Sequence, residues 1–370
     1  MFTLSLIGIY TLALAALGVY SLRHWATARN LLALPNERSS HVRPTPSGGG
    51  VVIVLCTLLG LIFYTLASDT FSPVLWVYAG SAAAIALVSW FDDLYTLPNR
   101  WRFAVHSAAA LVVIIAIGSW QTVDLPLLGT LALGWLGLPL TFVWIVGLTN
   151  AYNFMDGIDG LAGSQAVLAG SGWALVGWWS NQPAVMAVGL LIAVSSLGFL
   201  VHNWAPAKIF MGDVGSAFLG FSFAVLPLIV AQQRPRLALV GLLLVWPFVF
   251  DAGFTVLRRL RHGENIFTAH RSHLYQRLVI AGHSHRTVTL LYTGLAVTGL
   301  LLALVWYGLS HGNVLATLLL LPLLALGLWL LVINQEQQAR VKKPSPLAAA
   351  FKAMAESDVA APSNISSLQR

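Results

Sequence analysis

Charge is scarce in this chain. Lys, Arg, Asp and Glu make up 9% of its 370 residues, against about 25% in an average soluble protein, which excludes an ordinary water-exposed domain. Cysteine is nearly absent too. Cys56 stands alone, so an internal disulfide and a cysteine-built metal cage are both excluded, and its place in an apolar run suits packing. There is no internal repeat, and no pair of interrupted apolar segments in matching halves of the kind that marks many transporters. No basic residue precedes the first apolar run; Arg23 and Arg29 follow it. That polarity is the reverse of a secretory signal, and the run reads as a retained first span with its N-terminus outside.

What the chain does have is apolar length. Hydrophobic residues are 58% of the sequence, gathered in runs of about 20, the length that crosses a bilayer. Eleven spans are expected, at 2–22, 49–68, 74–91, 103–120, 134–149, 160–178, 183–202, 214–232, 236–257, 287–308 and 313–333. The fold class is therefore an all-α polytopic transmembrane bundle over 1–333, with a polar, partly disordered cytoplasmic tail over 334–370. Alternation from an outside N-terminus puts 18 of the 20 Lys and Arg in inner segments, leaving only Arg234 and Arg236 outside. This is the positive-inside bias. The net charge of +7 then reports topology and attraction to lipid headgroups, not a nucleic-acid partner.

The acids took no part in that assignment, yet ten of the 13 lie in or beside inner segments. Segments 150–159 and 203–213 are nearly free of basic residues but contain Asp156, Asp159 and Asp213, which suggests that a divalent cation neutralises them. Four constellations carry chemistry. In Phe91-Asp92-Asp93-Leu94 two adjacent carboxylates at a helix C-terminus repel each other and oppose the macrodipole; a metal, Arg100 or Arg102, or a shared proton must offset them, and a solvated turn is the plainer alternative. Asn150-Ala151-Tyr152-Asn153-Phe154-Met155-Asp156-Gly157-Ile158-Asp159-Gly160 presents amide and carboxylate oxygens without EF-hand spacing, although Asp159 could simply cap the next helix.

The third constellation is His202-Asn203-Trp204-Ala205-Pro206-Ala207-Lys208-Ile209-Phe210-Met211-Gly212-Asp213-Val214-Gly215-Ser216. It sets Asp213 between glycines at a helix start, where it could cap as well as bind metal, and Phe210 could offer an aromatic face to a base. The fourth, Thr268-Ala269-His270-Arg271-Ser272-His273-Leu274-Tyr275-Gln276-Arg277, is a cationic patch suited to phosphate or to headgroups. Arg43 in the first inner loop adds a further cation, and the run Gly48-Gly49-Gly50 could turn backbone amides toward an anion. Carboxylates, amides, an aromatic ring and cations on one membrane face imply phosphoryl transfer around a diphosphate.

At these residues, from about 34 to 286, the sequence resembles the polyprenyl-phosphate N-acetylhexosamine-1-phosphate transferases. These belong to glycosyltransferase family 4 and are relatives of the phospho-MurNAc-pentapeptide translocase. The resemblance implies a Mg²⁺ enzyme of the bacterial inner membrane, with Mn²⁺ an alternative ion. Its site would face the cytoplasm, moving a sugar 1-phosphate from a UDP-N-acetylhexosamine to undecaprenyl phosphate and releasing UMP. It implies that Asp213 holds the metal and that Asp92, Asp93, His270 and His273 serve at the reacting centre. Asn153, Asp156, Asp159, Asn203 and Phe210 would hold the nucleotide sugar, with Asn203 and Phe210 at the uracil, while Arg43 and Arg271 meet phosphate. Membrane lipids are partners, and a homodimer is compatible. The His270-Arg271-Ser272-His273 pattern departs from the three-histidine run of the pentapeptide enzymes, and Asp92-Asp93-Leu94-Tyr95-Thr96 lacks a following lysine. Both argue against the peptidoglycan enzyme, and the His270–Arg277 stretch resembles the branch that begins O-antigen or capsule chains. Peptidoglycan synthesis and membrane transport are the competing readings, and direct and double displacement stay equally open.

Overall fold

The computed structural model describes residues 2–342 except 31, 34–43, 69–71, 126–128, 266–267, 269 and 309–313. Arg43 and the tail beyond 342 therefore lie outside the described residues.

The chain is helical almost throughout: α1 (Phe2–Ala28), α2 (Gly50–Ala67), α3 (Pro73–Tyr95), α4 (Asn99–Ile117), α5 (Gly137–Phe154), α6 (Leu161–Trp179), α7 (Pro183–Asn203), α8 (Asp213–Ala231), α9 (Ala238–Arg261), α10 (Leu274–Ile280), α11 (His285–Gly308) and α12 (Val314–Lys342). Two short antiparallel pairs punctuate it, β1 (Leu32–Ala33) with β2 (Thr45–Pro46), and β3 (Thr122–Leu125) with β4 (Gly129–Ala132). The β3–β4 pair lies just before the fifth expected span.

Ten of the described helices are long and apolar enough to cross a membrane. The sixth expected span, α6, has the length but falls short on hydropathy, because Gly, Ser and Gln interrupt its apolar residues. It packs on α7 and α11, with further contacts to α8 and α9, and most of its side chains are buried. A helix shielded in this way does not need a lipid-facing surface.

The centre of the bundle is α8, in which every residue except Asp213 and Ile229 is buried. It is flanked by α3, α5 and α9 and crossed by α2. The α2 crossing requires glycine on both sides: a Cβ on Gly50 would sit 2.4 Å from the Cα of Gly215. Because α8 is held all round, its N-terminus is fixed at one end of the bundle, beside the C-terminal turns of α3, α5 and α7.

Candidate active site

Four inter-helix segments converge at that end. Asp93, Asn153, Asp156, Asp159, Asn203, Phe210 and Asp213, together with Ser47, Gln276 and His285, line a cleft of about 280 Å³. Residues up to 238 positions apart in sequence thus share one wall.

The paired aspartates at the end of α3 take different partners. Asp92 accepts the Leu97 N–H at 2.6 Å and Arg102 Nη1 at 2.8 Å, and Thr96, in the left-handed region at φ 51°, closes the helix. Asp93 reaches across to α8, accepting the N–H of Asp213 at 3.0 Å and that of Val214 at 3.2 Å. A carboxylate disfavoured by the dipole of its own helix is thereby stabilised at the N-terminus of another. The approach depends on Gly212, whose φ is +78° and where a Cβ would lie 2.7 Å from Asp93 Oδ2. Of the two cations that sequence proximity offered as counter-charge, the structure uses Arg102. The same Nη1 also lies 2.9 Å from Asp213 Oδ2, so Arg102 joins Asp92 to Asp213.

Across the cleft, the Asn153 side chain donates to the Asp213 carboxylate. The Asp156 carboxylate has no donor among the described residues. Burial, followed by the charges of Asp213, Asp93 and Asp159, raises its pKa well above the usual carboxylate range. Asp159 is differently placed. It accepts the Ala207 N–H at 3.0 Å and pairs with His285 Nδ1 at 3.2 Å. It does not cap α6, whose N-cap is Gly160. Asn203 is buried and spends its amide on two loops, accepting the Gly160 N–H and donating to the Ile209 carbonyl, each at 2.9 Å. Asp159 and Asn203 therefore hold the 155–160 and 204–212 loops in register.

Some sequence expectations are redistributed. The Gly49 and Gly50 amides do not face an anion; they donate to the carbonyls of Phe210 and Met211 at 2.9 and 2.8 Å. His270 and His273 stay outside the cleft lining. The reason is Asp251, fully buried in α9, which accepts the N–H groups of Leu274 at 2.8 Å and Tyr275 at 3.1 Å, the Tyr292 hydroxyl at 2.5 Å and the Thr255 hydroxyl at 3.3 Å. His273 Nδ1 lies 3.2 Å from the same carboxylate. Asp251 so anchors the start of α10 and draws His273 inward, with His270 5.0 Å from it ring to ring. Burial, then His273 and Arg259, lower the His270 pKa to about 4, so its ring is neutral at physiological pH. Arg271 also lies outside the lining. Gln276, which lies in the fourth constellation without being singled out there, and His285, which no constellation contains, enter the cleft instead.

Among the described residues no three His, Cys, Asp or Glu form a ready-made metal cage. Mg²⁺ does not demand one, since it is usually held by one or two carboxylates, with water and substrate phosphate completing the shell. Asp213 and the donor-free Asp156 offer two such carboxylates on one cleft, with the Asn153 amide beside them. Hard oxygen donors of this kind fit Mg²⁺ or Mn²⁺ better than a thiol- or imidazole-seeking metal.

Residues 75–231 match the model of the family described as Glycosyl transferase family 4. The chain is 32% identical over 255 residues to the probable undecaprenyl-phosphate N-acetylglucosaminyl 1-phosphate transferase of Bacillus subtilis, covering 68% of this chain and 70% of that one. It is 33% identical over 298 residues to the decaprenyl-phosphate N-acetylglucosaminephosphotransferase of Mycobacterium leprae, covering 70% and 73%. With the phospho-N-acetylmuramoyl-pentapeptide-transferase of Listeria monocytogenes the identity is 27% over 275 residues, covering 70% and 83%.

Proposed function

We propose, from the premise that this chain belongs to glycosyl transferase family 4 and is a polyprenyl-phosphate sugar-1-phosphate transferase, that its donor is a UDP-N-acetylhexosamine and its acceptor undecaprenyl phosphate. The products are a lipid diphosphate sugar and UMP, at the start of O-antigen or another surface polysaccharide. The observation that carries this reading is the convergence of Asp93, Asp156 and Asp213 on one cleft with Asn153 and Phe210. Among the described residues, the segments at the cleft end of the bundle hold nearly all the Lys and Arg. By the positive-inside bias that end faces the cytoplasm of a bacterial inner membrane, where UDP-sugars are made.

Asp213 and Asp156 would hold Mg²⁺, with the Asn153 amide orienting Asp213. When bound, the ion neutralises charge on the diphosphate. Asp93 lines the cleft while Asp92 does not, which gives Asp93 the chemical role. It orients the acceptor phosphate and takes up its proton, having been fixed in place by the amides of α8. An acceptor oxygen bonds to the β-phosphorus, the bond from that phosphorus to the bridging oxygen breaks, and UMP leaves with the electron pair. Asp92 positions Arg102. Phe210 presents a face to the uracil, and Asn203 shapes the base site by holding both loops. Arg271 and Arg43 are the cations the family resemblance gives to phosphate, although Arg271 stands outside the cleft lining and Arg43 outside the described residues. His273 and His270 support α10, which carries Gln276 to the cleft.

The test is UMP release by the purified chain with undecaprenyl phosphate, Mg²⁺ and a panel of UDP-N-acetylhexosamines. UDP-MurNAc-pentapeptide belongs in the panel, because the Listeria relative is named for that substrate. UMP from a simple UDP-N-acetylhexosamine supports the reading. UMP from the pentapeptide alone transfers the chain to peptidoglycan synthesis, and no UMP from any donor overturns the assignment.

A further inference from the structure

Arg102 is placed where a metal would compete with it. One nitrogen, Nη1, lies 2.8 Å from Asp92 Oδ2 and 2.9 Å from Asp213 Oδ2. Bridging two carboxylate oxygens through one cationic atom is the task of a small divalent cation. Without a counter-charge the two carboxylates would repel, and one would have to take a proton. A guanidinium is always charged and solves this in a metal-free site. A divalent cation on Asp213 Oδ2 would compete with it for that oxygen, because two cations there would repel each other.

Further along α4 is a second resting place. His106 is fully buried, and neither of its ring nitrogens has a partner among the described residues. It lies one helical turn beyond Arg102, on the same face of α4. A neutral imidazole keeps one acceptor nitrogen. An unpaired buried imidazole is costly.

We infer that Arg102 is a placeholder cation: it bridges Asp92 and Asp213 in the metal-free site, and on metal binding it releases Asp213 and turns to His106, keeping Asp92. This rests on the assignment of Mg²⁺ to Asp213 above. The exchange holds the acidic cluster together between turnovers and makes metal affinity a difference between two cations. It also gives His106 a positioning role away from the reacting atoms.

The experiment measures Mn²⁺ binding to the full chain in lipid nanodiscs by loss of the free-ion EPR signal, with thermal unfolding in EDTA and in Mn²⁺ alongside. Arg102→Met removes the competitor. It should bind Mn²⁺ about tenfold more tightly, equivalent to about 1.4 kcal/mol, unfold at lower temperature in EDTA, and gain more from Mn²⁺ than the wild type does. His106→Leu removes the retracted position and should weaken Mn²⁺ by about fivefold, the worth of one net hydrogen bond. Unchanged or weaker binding in Arg102→Met, or unchanged or tighter binding in His106→Leu, overturns the placeholder role. If Arg102→Met does not fold, the His106→Leu measurement decides alone. Wild-type protein that binds no Mn²⁺, or binds it equally well as Asp213→Asn, overturns the metal assignment and this inference with it.

Discussion

Replacing Asp251 by alanine should undock α10 although Asp251 is not in the cleft. Its carboxylate accepts two backbone N–H groups and a phenol within 3.1 Å, with the Thr255 hydroxyl and His273 Nδ1 at 3.3 and 3.2 Å. In Asp251→Ala the two amides and the Tyr292 hydroxyl lose a buried partner, and each orphaned group costs about 1–3 kcal/mol. Water entering beside α10 offsets part of this, leaving about 3 kcal/mol as a working figure, a large part of a typical stability of about 5–15 kcal/mol. At 1.4 kcal/mol per tenfold, the amides of residues 274–280 should exchange with solvent about a hundredfold faster. Hydrogen exchange by mass spectrometry reads this directly, and UMP release should fall because α10 carries Gln276 into the cleft. Asp251→Asn keeps one acceptor oxygen and should lie between. Protection of 274–280 unchanged in Asp251→Ala would refute the claim that this carboxylate holds α10.

At Gly212 an alanine meets both a positive φ and Asp93 Oδ2, so Gly212→Ala should lower kcat by about tenfold or more with little change in KM, as expected when the reacting carboxylate moves; a full kcat would show that the Asp93 cap on α8 is dispensable. Asn203→Ala should loosen the 155–160 and 204–212 loops together, raising KM for the UDP-sugar and the rate of proteolysis in both; loosening of one loop alone would contradict the tie. Asp156 has a raised native pKa, so it favours folding most below its unfolded pKa of about 3.9, and that contribution is lost as pH rises through the native value. Metal-free protein should therefore become less heat-stable as pH rises above the unfolded value, and Asp156→Asn should flatten that slope; an identical slope in the variant would refute the assignment.

The bundle was legible because each span needs a continuous apolar run and the inner loops hold the basic residues. Helix α6 was legible by length even though its Gly- and Ser-rich sequence is weakly apolar. The cleft was legible in part. Asp93, Asn153, Asp156 and Asp213 sit in motifs that gather more polar groups between two spans than turns and caps require, and Arg102 was one of the two cations near enough to relieve the Asp92–Asp93 pair. What local sequence does not contain is the long-range choice of partner. Asp93 caps a helix 120 residues away, and Asp251, a single acid inside a span, turns out to organise α10. His273, suited by type to the reacting centre, is claimed by that same carboxylate. His285 reaches the cleft because α11 begins beside Asp159, a matter of packing that no motif records.

The central claim is that this cleft moves a sugar together with its phosphate onto a lipid phosphate. The direct measurement uses UDP-N-acetylglucosamine carrying ³²P at the β-phosphate, offered with undecaprenyl phosphate and Mg²⁺. The label should pass into butanol-extractable lipid in a one-to-one ratio with UMP, and both products should vanish in Asp213→Asn and Asp93→Asn. Label retained in UDP while sugar reaches the lipid, or transfer undiminished in those two variants, would contradict the account.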